Sequence, residues 1–230
     1  MKAARRNNAG TTYPRGEETR ARIISTAMTL FGAHGFDGVT TREIAAQAEV
    51  PAPSLQYYFE NKEGLYDACI EHLLTDAQDT MGPVLSIAEG LLKSGASSDK
   101  LIEAYCSFLD CLADFLLGTE DSASRALFVA RWRVQPKGPP KPAKTSLGDR
   151  LNECCQALVS RIAGDNMTKD EARLVSATIN GQLMTLHLAP GHLKKMVGWD
   201  DITPARLAKL KQLLRLQTTA LLKLHRHERS

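Results

Sequence analysis

Hydrophobic positions recur three and four residues apart along most of this chain, which is the period of amphipathic α-helices. No long stretch alternates apolar and polar residues as a half-buried strand would. The pattern therefore predicts an all-α protein. The expected helices cover residues 19–34, 99–117, 122–134 and 146–163, and two more begin at Thr168 and at Thr203.

Capping side chains mark several helix starts. Thr40 with Glu43, and Thr168 with Glu171, have the spacing of a capping box, in which a hydroxyl and a carboxylate each bond a backbone amide. Thr203 is a hydroxyl cap that is followed by a proline in the first turn. These residues predict where three of the helices begin.

Glycine and proline mark the breaks. Gly82-Pro83 is expected to interrupt or end the helix that opens near residue 62, and residues 93–98 are expected to form a loop. Residues 136–142 contain too many prolines for a helix or a paired strand.

Residues 40–62 contain two short helices separated by a four-residue break around Pro51. Proline disfavours helical geometry at the residue before it and lacks a backbone donor, so the first short helix is expected to stop there. Pro53 suits the first turn of the second helix, whose Leu55 and Phe59 lie four residues apart and should face inward. This is the spacing of a helix-turn-helix that reads DNA.

Longer apolar stripes flank these two helices. Two short helices joined by a proline-containing turn also occur in other small helical proteins, so the order long, short, short, long is what favours the DNA-binding motif. The upstream stripe consists of Ile23, Ile24, Ala27, Leu30 and Phe31 and is followed by Gly35, and the downstream stripe consists of Leu65, Cys69, His72 and Leu73.

Thirteen residues of this region form a pattern that can be compared as a whole: Ile24, Ala27, Phe31, Gly35, Thr40, Ile44, Ala45, Val50, Leu55, Tyr58, Phe59, Lys62 and Leu65. Together they resemble the N-terminal signature of the TetR family of regulators over about residues 17–70. Two positions depart from the common pattern, since Pro53 stands where a small residue is usual and Gln56 where a tyrosine is usual. The pair Tyr57-Tyr58, with Gly198-Trp199 further on, is similar to the CecR-like branch.

The resemblance implies a regulator that binds operator DNA as a homodimer and places its third helix in the major groove. It also implies release of the DNA when a small-molecule effector fills the C-terminal domain. Three parts are expected: a flexible basic arm over residues 1–16, a helix-turn-helix DNA-binding domain over residues 17–63, and a helical effector-binding and dimerisation domain over residues 64–230.

The resemblance assigns a phosphate contact to Thr41 and to Lys62, and a phosphate or guanine contact to Arg42. Gln56 is expected to read a base directly, because its amide can bond adenine N6 and N7. For the two tyrosines that follow Gln56, the alternative is that a ring packs on the first helix. The candidate DNA-binding residues are Thr41, Arg42, Pro53, Ser54, Gln56, Tyr57, Tyr58 and Lys62.

Leucines of the last helix recur three and four residues apart, which is the spacing of a heptad seam. Two copies of this helix and of the helix over residues 168–188 would close a four-helix bundle, as the final helices do in TetR relatives. The alternative is that both helices pack wholly within one subunit. Gln217 would fix the register and Gly181 would permit close approach. The candidate dimer interface is Val175, Ile179, Gly181, Leu207, Leu210, Leu214, Gln217 and Leu221.

A pocket for the effector is expected between residues 99 and 189, where aromatic side chains meet a few polar groups. Arg131 is the most suggestive, since a guanidinium on an apolar helix lies at its edge, awaits an anion, or pairs with Asp110 or Asp114. For the aromatic residues the alternative is ordinary core packing. The candidate ligand-binding residues are Cys106, Phe108, Phe128, Arg131, Trp132 and His187.

Charge adds one feature to this description. The net charge of the 230 residues is only +3, so attraction to DNA must come from local placement of charge. Lys2, Arg5, Arg6 and Arg15 precede the first helix with no acidic residue among them. Such an arm would follow phosphates or enter the minor groove, and a solvated tail is the alternative.

Several other classes of protein are disfavoured. The five cysteines contain no C-x-x-C pair, which favours free thiols over a metal site, with Cys154 or Cys155 open to oxidation. No catalytic motif and no apolar run of membrane-spanning length occurs. We expect a cytoplasmic, ligand-responsive repressor, not an enzyme, that needs no cofactor and binds a palindromic operator as a homodimer. The alternative is a constitutive or architectural DNA-binding protein without an effector.

Overall fold

The computed structural model describes residues 14–118, 120–134, 147–188 and 190–226. Within these residues the chain forms ten α-helices and one 3₁₀ turn, and none of them lies in a strand. The predicted all-α fold class is confirmed. The helices are α1 Pro14–His34, α2 Thr41–Gln47, α3 Ala52–Phe59, α4 Lys62–Lys93, α5 Ser98–Leu117, α6 Glu120–Val134, α7 Leu147–Ala163, α8 Lys169–Leu188, α9 Pro190–Val197 and α10 Pro204–Leu224, and the 3₁₀ turn is Gly164–Asn166.

The predicted capping side chains form the expected hydrogen bonds. The Thr40 amide donates to Glu43 Oε2 at 2.7 Å, and the Glu43 amide donates to Thr40 Oγ1 at 3.2 Å. The corresponding bonds between Thr168 and Glu171 measure 2.7 and 3.3 Å. Donation by the threonine amide and hydroxyl lowers the pKa of each glutamate, because both bonds favour the charged carboxylate. The Thr203 hydroxyl caps α10 by accepting a hydrogen bond from the Arg206 amide at 3.3 Å.

Helix α4 is continuous over its 32 residues, so the expectation that Gly82-Pro83 would interrupt or end it is wrong. A proline inside a helix removes one backbone hydrogen bond and costs about 3 kcal/mol. Met81 and Leu85, on either side of the proline, are both buried, whereas Pro83 is exposed. Burial of the flanking side chains offsets the lost bond, which is why the helix continues.

The chain divides into two compact units between His72 and Leu73, and α4 has residues in both. His72 itself is exposed, although the sequence placed it on the buried side of α4. It lies about 100° around the helix from buried Leu73, where its imidazole can meet water. The core of the first unit draws side chains from α1 to α4: Ile23, Ile24, Ala27, Phe31, Ile44, Leu55, Phe59, Leu65 and Cys69.

Helix α5 is the central helix of the second unit, since 12 of its 20 residues are buried. A helix that is apolar nearly all round must be covered on several sides. Helices α6, α7, α8 and α10 all pack against α5. The second unit is therefore a helical bundle built around this one element.

Ion pairs fix the direction in which α10 runs along α5. The partners in and just after α10 ascend in number as those on α5 descend, so the two helices are antiparallel. Because these groups are partly exposed, each pair contributes little stability alone and the ladder serves mainly to set register. The pairs are Lys211 with Asp114 at 2.6 Å, Arg215 with Asp110 and with Glu103 at 2.6 Å, and Arg226 with Asp99 at 3.2 Å.

A buried polar cluster connects α5 to α8. The Tyr105 hydroxyl lies 3.2 Å from Ser176 Oγ and donates to Asn180 Oδ1 at 3.1 Å. Burial raises the pKa of Tyr105 and raises that of the nearby Cys155 thiol to about 12, so both stay protonated. A buried hydroxyl needs such partners, and they tie one α8 face to the core.

Helix α9 was not predicted, since the sequence analysis placed no helix between residue 188 and Thr203. Pro190 occupies its first position, where a proline costs nothing, and Leu193 is buried. The proline-rich segment 136–142 and the basic residues Lys2, Arg5 and Arg6 lie outside the described residues.

Candidate nucleic-acid interface

The turn between α2 and α3 is set by Glu49. Helix α2 ends at Gln47, and Glu49 adopts a left-handed conformation with φ of +54°. The Val50 amide then bonds the Ala45 carbonyl at 3.0 Å, and the Glu49 amide bonds the Ala46 carbonyl at 3.2 Å. These two bonds form a Schellman motif, which terminates the helix before Pro51 is reached. The helix thus ends at the break predicted around Pro51, but the cause is the turn at Glu49, and Pro51 is the N-cap residue of α3.

Replacing Glu49 by glycine is expected to stabilise the first unit by about 0.5–1 kcal/mol. A left-handed conformation costs a residue with a Cβ about 1–2 kcal/mol, and glycine avoids this cost. Glycine also raises the conformational entropy of the unfolded chain, which cancels part of the gain in stability. Thermal unfolding of the variant measures the gain. Glu49→Ala, which removes the carboxylate but keeps the Cβ, is the matched control and should show no such gain. An equal gain in both variants would assign the effect to charge.

Helix α3 has one buried side and one outward side. Leu55 and Phe59 are only 4% and 5% exposed, as the sequence predicted. Pro53 and Gln56 are exposed, and Tyr57 is 83% exposed. A short helix anchored through two apolar side chains thus presents polar and aromatic groups outward, which is the requirement for reading base edges.

The two tyrosines of α3 behave differently. Tyr57 projects outward, and its ring meets the Tyr58 ring edge to face with centroids 5.1 Å apart. Tyr58 is half-buried and its hydroxyl lies beside α1, at 3.7 Å from the position a Cβ would take on Gly16. Ser54 is also half-buried. Tyr58 therefore packs partly on the first helix, which was the alternative considered for it, whereas Tyr57 is fully available for a partner.

The residues expected to contact phosphate lie at the starts of two helices. Thr41 and Arg42 begin α2, with Thr41 half-buried and Arg42 exposed. Lys62 is the first residue of α4, and its ammonium lies 4.5 Å from the centroid of the Phe36 ring. The Arg20 guanidinium similarly lies 5.4 Å from the Phe59 ring. Sequence spacing gave no sign of either pair, because each joins residues far apart in the chain.

The structure divides the candidate dimer residues into two groups. Ile179, Leu207 and Leu214 are buried inside their own chain and are not available to a partner. Leu210, Leu221, Val175 and Gly181 are half-buried, and Gln217 is exposed. The heptad spacing of Leu207 and Leu214 thus reports the packing of α10 on α5, which was the alternative considered.

Other leucines of α8 and α10 point away from the core. We call them the outer leucines: Leu174 on α8, and Leu213, Leu216 and Leu224 on α10. Gly181 lies two helical turns after Leu174 on the same side of α8, and a Cβ built on it would meet no atom within 4 Å. These exposed side chains form an apolar surface that the described part of the chain does not cover.

The described side chains among the candidate effector residues differ in burial and in direction. Cys106, Phe108 and Phe128 are buried, Trp132 is half-buried and Arg131 is exposed, and the His187 side chain lies outside the described part. The Cys106 thiol lies 3.5 Å from Thr219 Oγ1 of α10, whereas Phe108, two positions on, points about 200° away. Asp110 and Asp114, considered as partners of Arg131, bond to α10 instead.

Two of the grooves on the described part of the second unit bear on this question. The larger, of about 870 Å³, lies where the loop before α5 meets the end of α7, and its lining includes Ser97, Leu101, Arg161 and Arg226. The smaller, of about 330 Å³, lies beside Asp114 and Lys211. None of the five candidate effector residues whose side chains are described lines either groove.

Metal-binding clusters and membrane-spanning helices are absent from the described residues. Among them, no group of three or more His, Cys, Asp or Glu side chains is arranged to hold a metal ion. No helix in the described ranges is long and apolar enough to cross a membrane.

Known proteins match both parts of the chain. Residues 23–69 match the family model of bacterial regulatory proteins of the tetR family, and residues 101–223 match that of the C-terminal domain of the HTH-type transcriptional dual regulator CecR. The chain is 23% identical over 211 residues to the HTH-type transcriptional dual regulator CecR of Shigella flexneri, covering 90% of this chain and 92% of that protein. It is 41% identical over 56 residues to the Tetracycline repressor protein class C of Escherichia coli, covering 24% of this chain and 26% of that protein.

A solved structure shares the fold. A TetR-like transcriptional regulator from Rhodococcus sp. RHA1 matches with a TM-score of 0.57 at 20% identity, covering 88% of this chain and 96% of that one. The helix-turn-helix predicted over residues 40–62 is confirmed, and the molecule is an all-helical, DNA-binding transcription regulator. The chain belongs to the TetR family, with a C-terminal domain of the CecR type.

Proposed function

We propose that this protein is a homodimeric repressor that binds a palindromic operator and releases it when a small molecule occupies its C-terminal unit. The observation that carries the proposal is the outward surface of α3, where exposed Gln56 and Tyr57 project from a helix anchored by Leu55 and Phe59. Such a helix can enter the major groove while neighbouring helix starts hold the phosphates.

Each DNA-contacting residue has a role that follows from its chemistry. Gln56 reads adenine and Arg42 reads guanine or grips a phosphate, since an amide and a guanidinium can each bond a base edge through two hydrogen bonds. Thr41 and Lys62 bind phosphates, which fixes register without reading sequence. Specificity therefore depends on Gln56 and Arg42, and general affinity on the other two.

Replacing Gln56 or Arg42 by alanine is expected to lower discrimination between operator variants by about 1–3 kcal/mol at the base pair that each residue reads. The measurement is a set of binding isotherms on operators substituted one base pair at a time. Thr41→Ala is the matched control, because it should weaken binding by a similar factor on every operator. Unchanged preferences in Gln56→Ala would remove the base-reading role from that residue.

We infer a dimer from the outer leucines and from the palindromic operator proposed above. Leu213 and Leu216 are 49% and 66% exposed in the single chain, which is unusual for neighbouring leucines of one helix. A two-fold axis would pair these surfaces and match two half-sites of a palindrome. The proposed interface consists of the outer leucines with Gly181, Gln217 and the half-buried Leu210 and Leu221.

Gly181→Leu is expected to raise the dimer dissociation constant at least tenfold while leaving the folded protomer intact. A Cβ at this position meets no atom within 4 Å in the described part of the chain, so the clash is expected from a closely approaching partner helix. Analytical ultracentrifugation measures the change. Gly90→Leu, on α4, is the matched control, because a Cβ there also meets nothing within 4 Å. Equal dimerisation of the two variants would place the interface elsewhere.

The names of relatives support a role in repression. The names of two matched relatives describe a tetracycline repressor and a biofilm operon negative transcriptional regulator, and a third is called a dual regulator. We infer that an effector bound in the second unit acts through α4, because this helix has residues in both units.

The proposed function is tested by footprinting the purified protein on genomic DNA and by reporter assays on the promoters recovered. Palindromic sites and lower transcription in its presence are the expected results. Small molecules that raise the melting temperature should also release operator DNA. If no compound does both, the protein acts as a constitutive regulator.

A further inference from the structure

Lys62 begins α4 with its ammonium over an aromatic ring. The nitrogen lies 4.5 Å from the centroid of Phe36, within the distance of about 6 Å at which a cation is attracted to a ring face. The lysine side chain is half-buried. Among the residues that the structure describes, no carboxylate forms an ion pair with this ammonium. Besides the bonds from Thr40, the Lys62 charge helps to lower the pKa of the Glu43 carboxyl through space, but the direct contact of the ammonium is with the Phe36 ring.

The Phe36 ring is itself held in place by two other rings. It stacks on Phe31 of α1 with centroids 5.7 Å apart and meets Tyr66 of α4 edge to face at 5.1 Å. Gly35, with φ of +79°, ends α1 and turns the chain so that Phe36 returns onto Phe31. Tyr66 lies one helical turn after Lys62 on α4. The tyrosine that packs against Phe36 and the lysine that lies over Phe36 therefore belong to the same helix.

We propose that Phe36 is a positioning residue for DNA binding, which holds the Lys62 ammonium in the place where it meets an operator phosphate. The inference rests on the proposed function, in which Lys62 binds phosphate. A free lysine side chain loses the freedom of four rotatable bonds when it binds, whereas one already held over a ring loses less. A ring face covers one side of the ammonium, so its remaining N–H groups can still donate to phosphate oxygens.

The test replaces Phe36 by 3,4,5-trifluorophenylalanine in the full-length protein. This residue has nearly the size of phenylalanine, but its fluorines withdraw the negative charge from the ring face that attracts the ammonium. The same substitution is made in the Lys62→Ala background, which completes a double-mutant cycle. Operator affinity, its dependence on salt and the melting temperature are measured for all four proteins.

The expected result is a loss of operator affinity of about two- to fivefold on fluorination when Lys62 is present, and no loss when it is alanine. The slope of log affinity against log salt should fall by about one in Lys62→Ala but stay unchanged on fluorination, because the lysine still reaches the phosphate. Equal losses in both backgrounds, or no loss in either, would overturn the inference. Equal losses in both backgrounds are what a purely packing role for Phe36 predicts.

A readout without DNA separates this inference from the proposed function. In the free protein, the Lys62 ε-methylene protons should show the upfield shift of groups lying over a ring, and Phe36→Leu should abolish it. Absence of that shift in the parent protein overturns the positioning role whatever the DNA result. If the shift is present but Lys62→Ala binds the operator as tightly as the parent, the phosphate contact assigned to Lys62 is the part that fails, and the positioning role fails with it.

Discussion

Arginine at both Leu213 and Leu216 is expected to convert the protein to monomers and to reduce operator binding at least a hundredfold. Both leucines project away from α5, so the protomer has no need of them for its own core. In the proposed dimer they are covered by the partner, where an unpaired charge costs several kcal/mol. A monomer then reaches one half-site only and loses the contacts of the second subunit. Analytical ultracentrifugation and operator titration measure the two effects.

The matched control is Ile87→Arg. Ile87 lies on α4 and is 64% exposed, close to the 66% of Leu216, but it lies outside the proposed interface. This variant should remain dimeric and bind the operator as the parent does. If the Leu213 and Leu216 variant also stayed dimeric at micromolar concentration, the outer leucines would not form the interface.

Leu214 shows why the choice of leucine matters. It lies between the two outer leucines in sequence, yet it is buried against the core of its own chain. Successive residues of a helix point about 100° apart, so neighbours can serve different surfaces. Leu214→Ala is therefore a core truncation, which typically costs about 2–5 kcal/mol of folding stability. Loss of a dimer in that variant would report unfolding and not interface chemistry.

The fold class and most helix starts could be predicted because they depend on local chemistry. Thr40 and Thr168 each bond a glutamate three residues away, and this spacing is visible in the sequence. Pro83 could not be judged in that way. Whether a proline breaks a helix depends on the burial of its neighbours, which is a property of the folded chain.

The DNA-facing surface of α3 could be predicted from the sequence, whereas the dimer surface of α10 could not. The buried and outward sides of α3 follow from the four-residue spacing of Leu55 and Phe59, so the sequence predicted that surface. The leucine pattern of α10 is ambiguous, since the same spacing fits packing on α5 and packing on a partner. Contacts such as Lys62 with Phe36 join distant positions, and no local rule predicts them.

Phe59→Ala and Tyr57→Ala are expected to give opposite results although the residues lie two positions apart on α3. Phe59 is buried in the core of the first unit, and truncation of a buried phenylalanine costs about 3–5 kcal/mol. That is a large part of the roughly 5–15 kcal/mol that stabilises a typical domain, so the first unit should unfold at a markedly lower temperature. Tyr57 is 83% exposed, and its removal should change stability by no more than about 0.5 kcal/mol.

Operator binding distinguishes the two variants further. Tyr57→Ala should fold normally yet lose about 1–2 kcal/mol of operator affinity, roughly five- to thirtyfold, because an exposed aromatic ring with no core role is free to contact DNA. Tyr57→Phe keeps the ring and removes only the hydroxyl, so it separates ring packing from a hydrogen bond to phosphate. Circular dichroism melts and operator titrations on the three variants give both quantities. Parent-like affinity in Tyr57→Ala would mean that the outward side of α3 meets DNA through Gln56 without the tyrosine, and the contact surface would then be narrower than proposed.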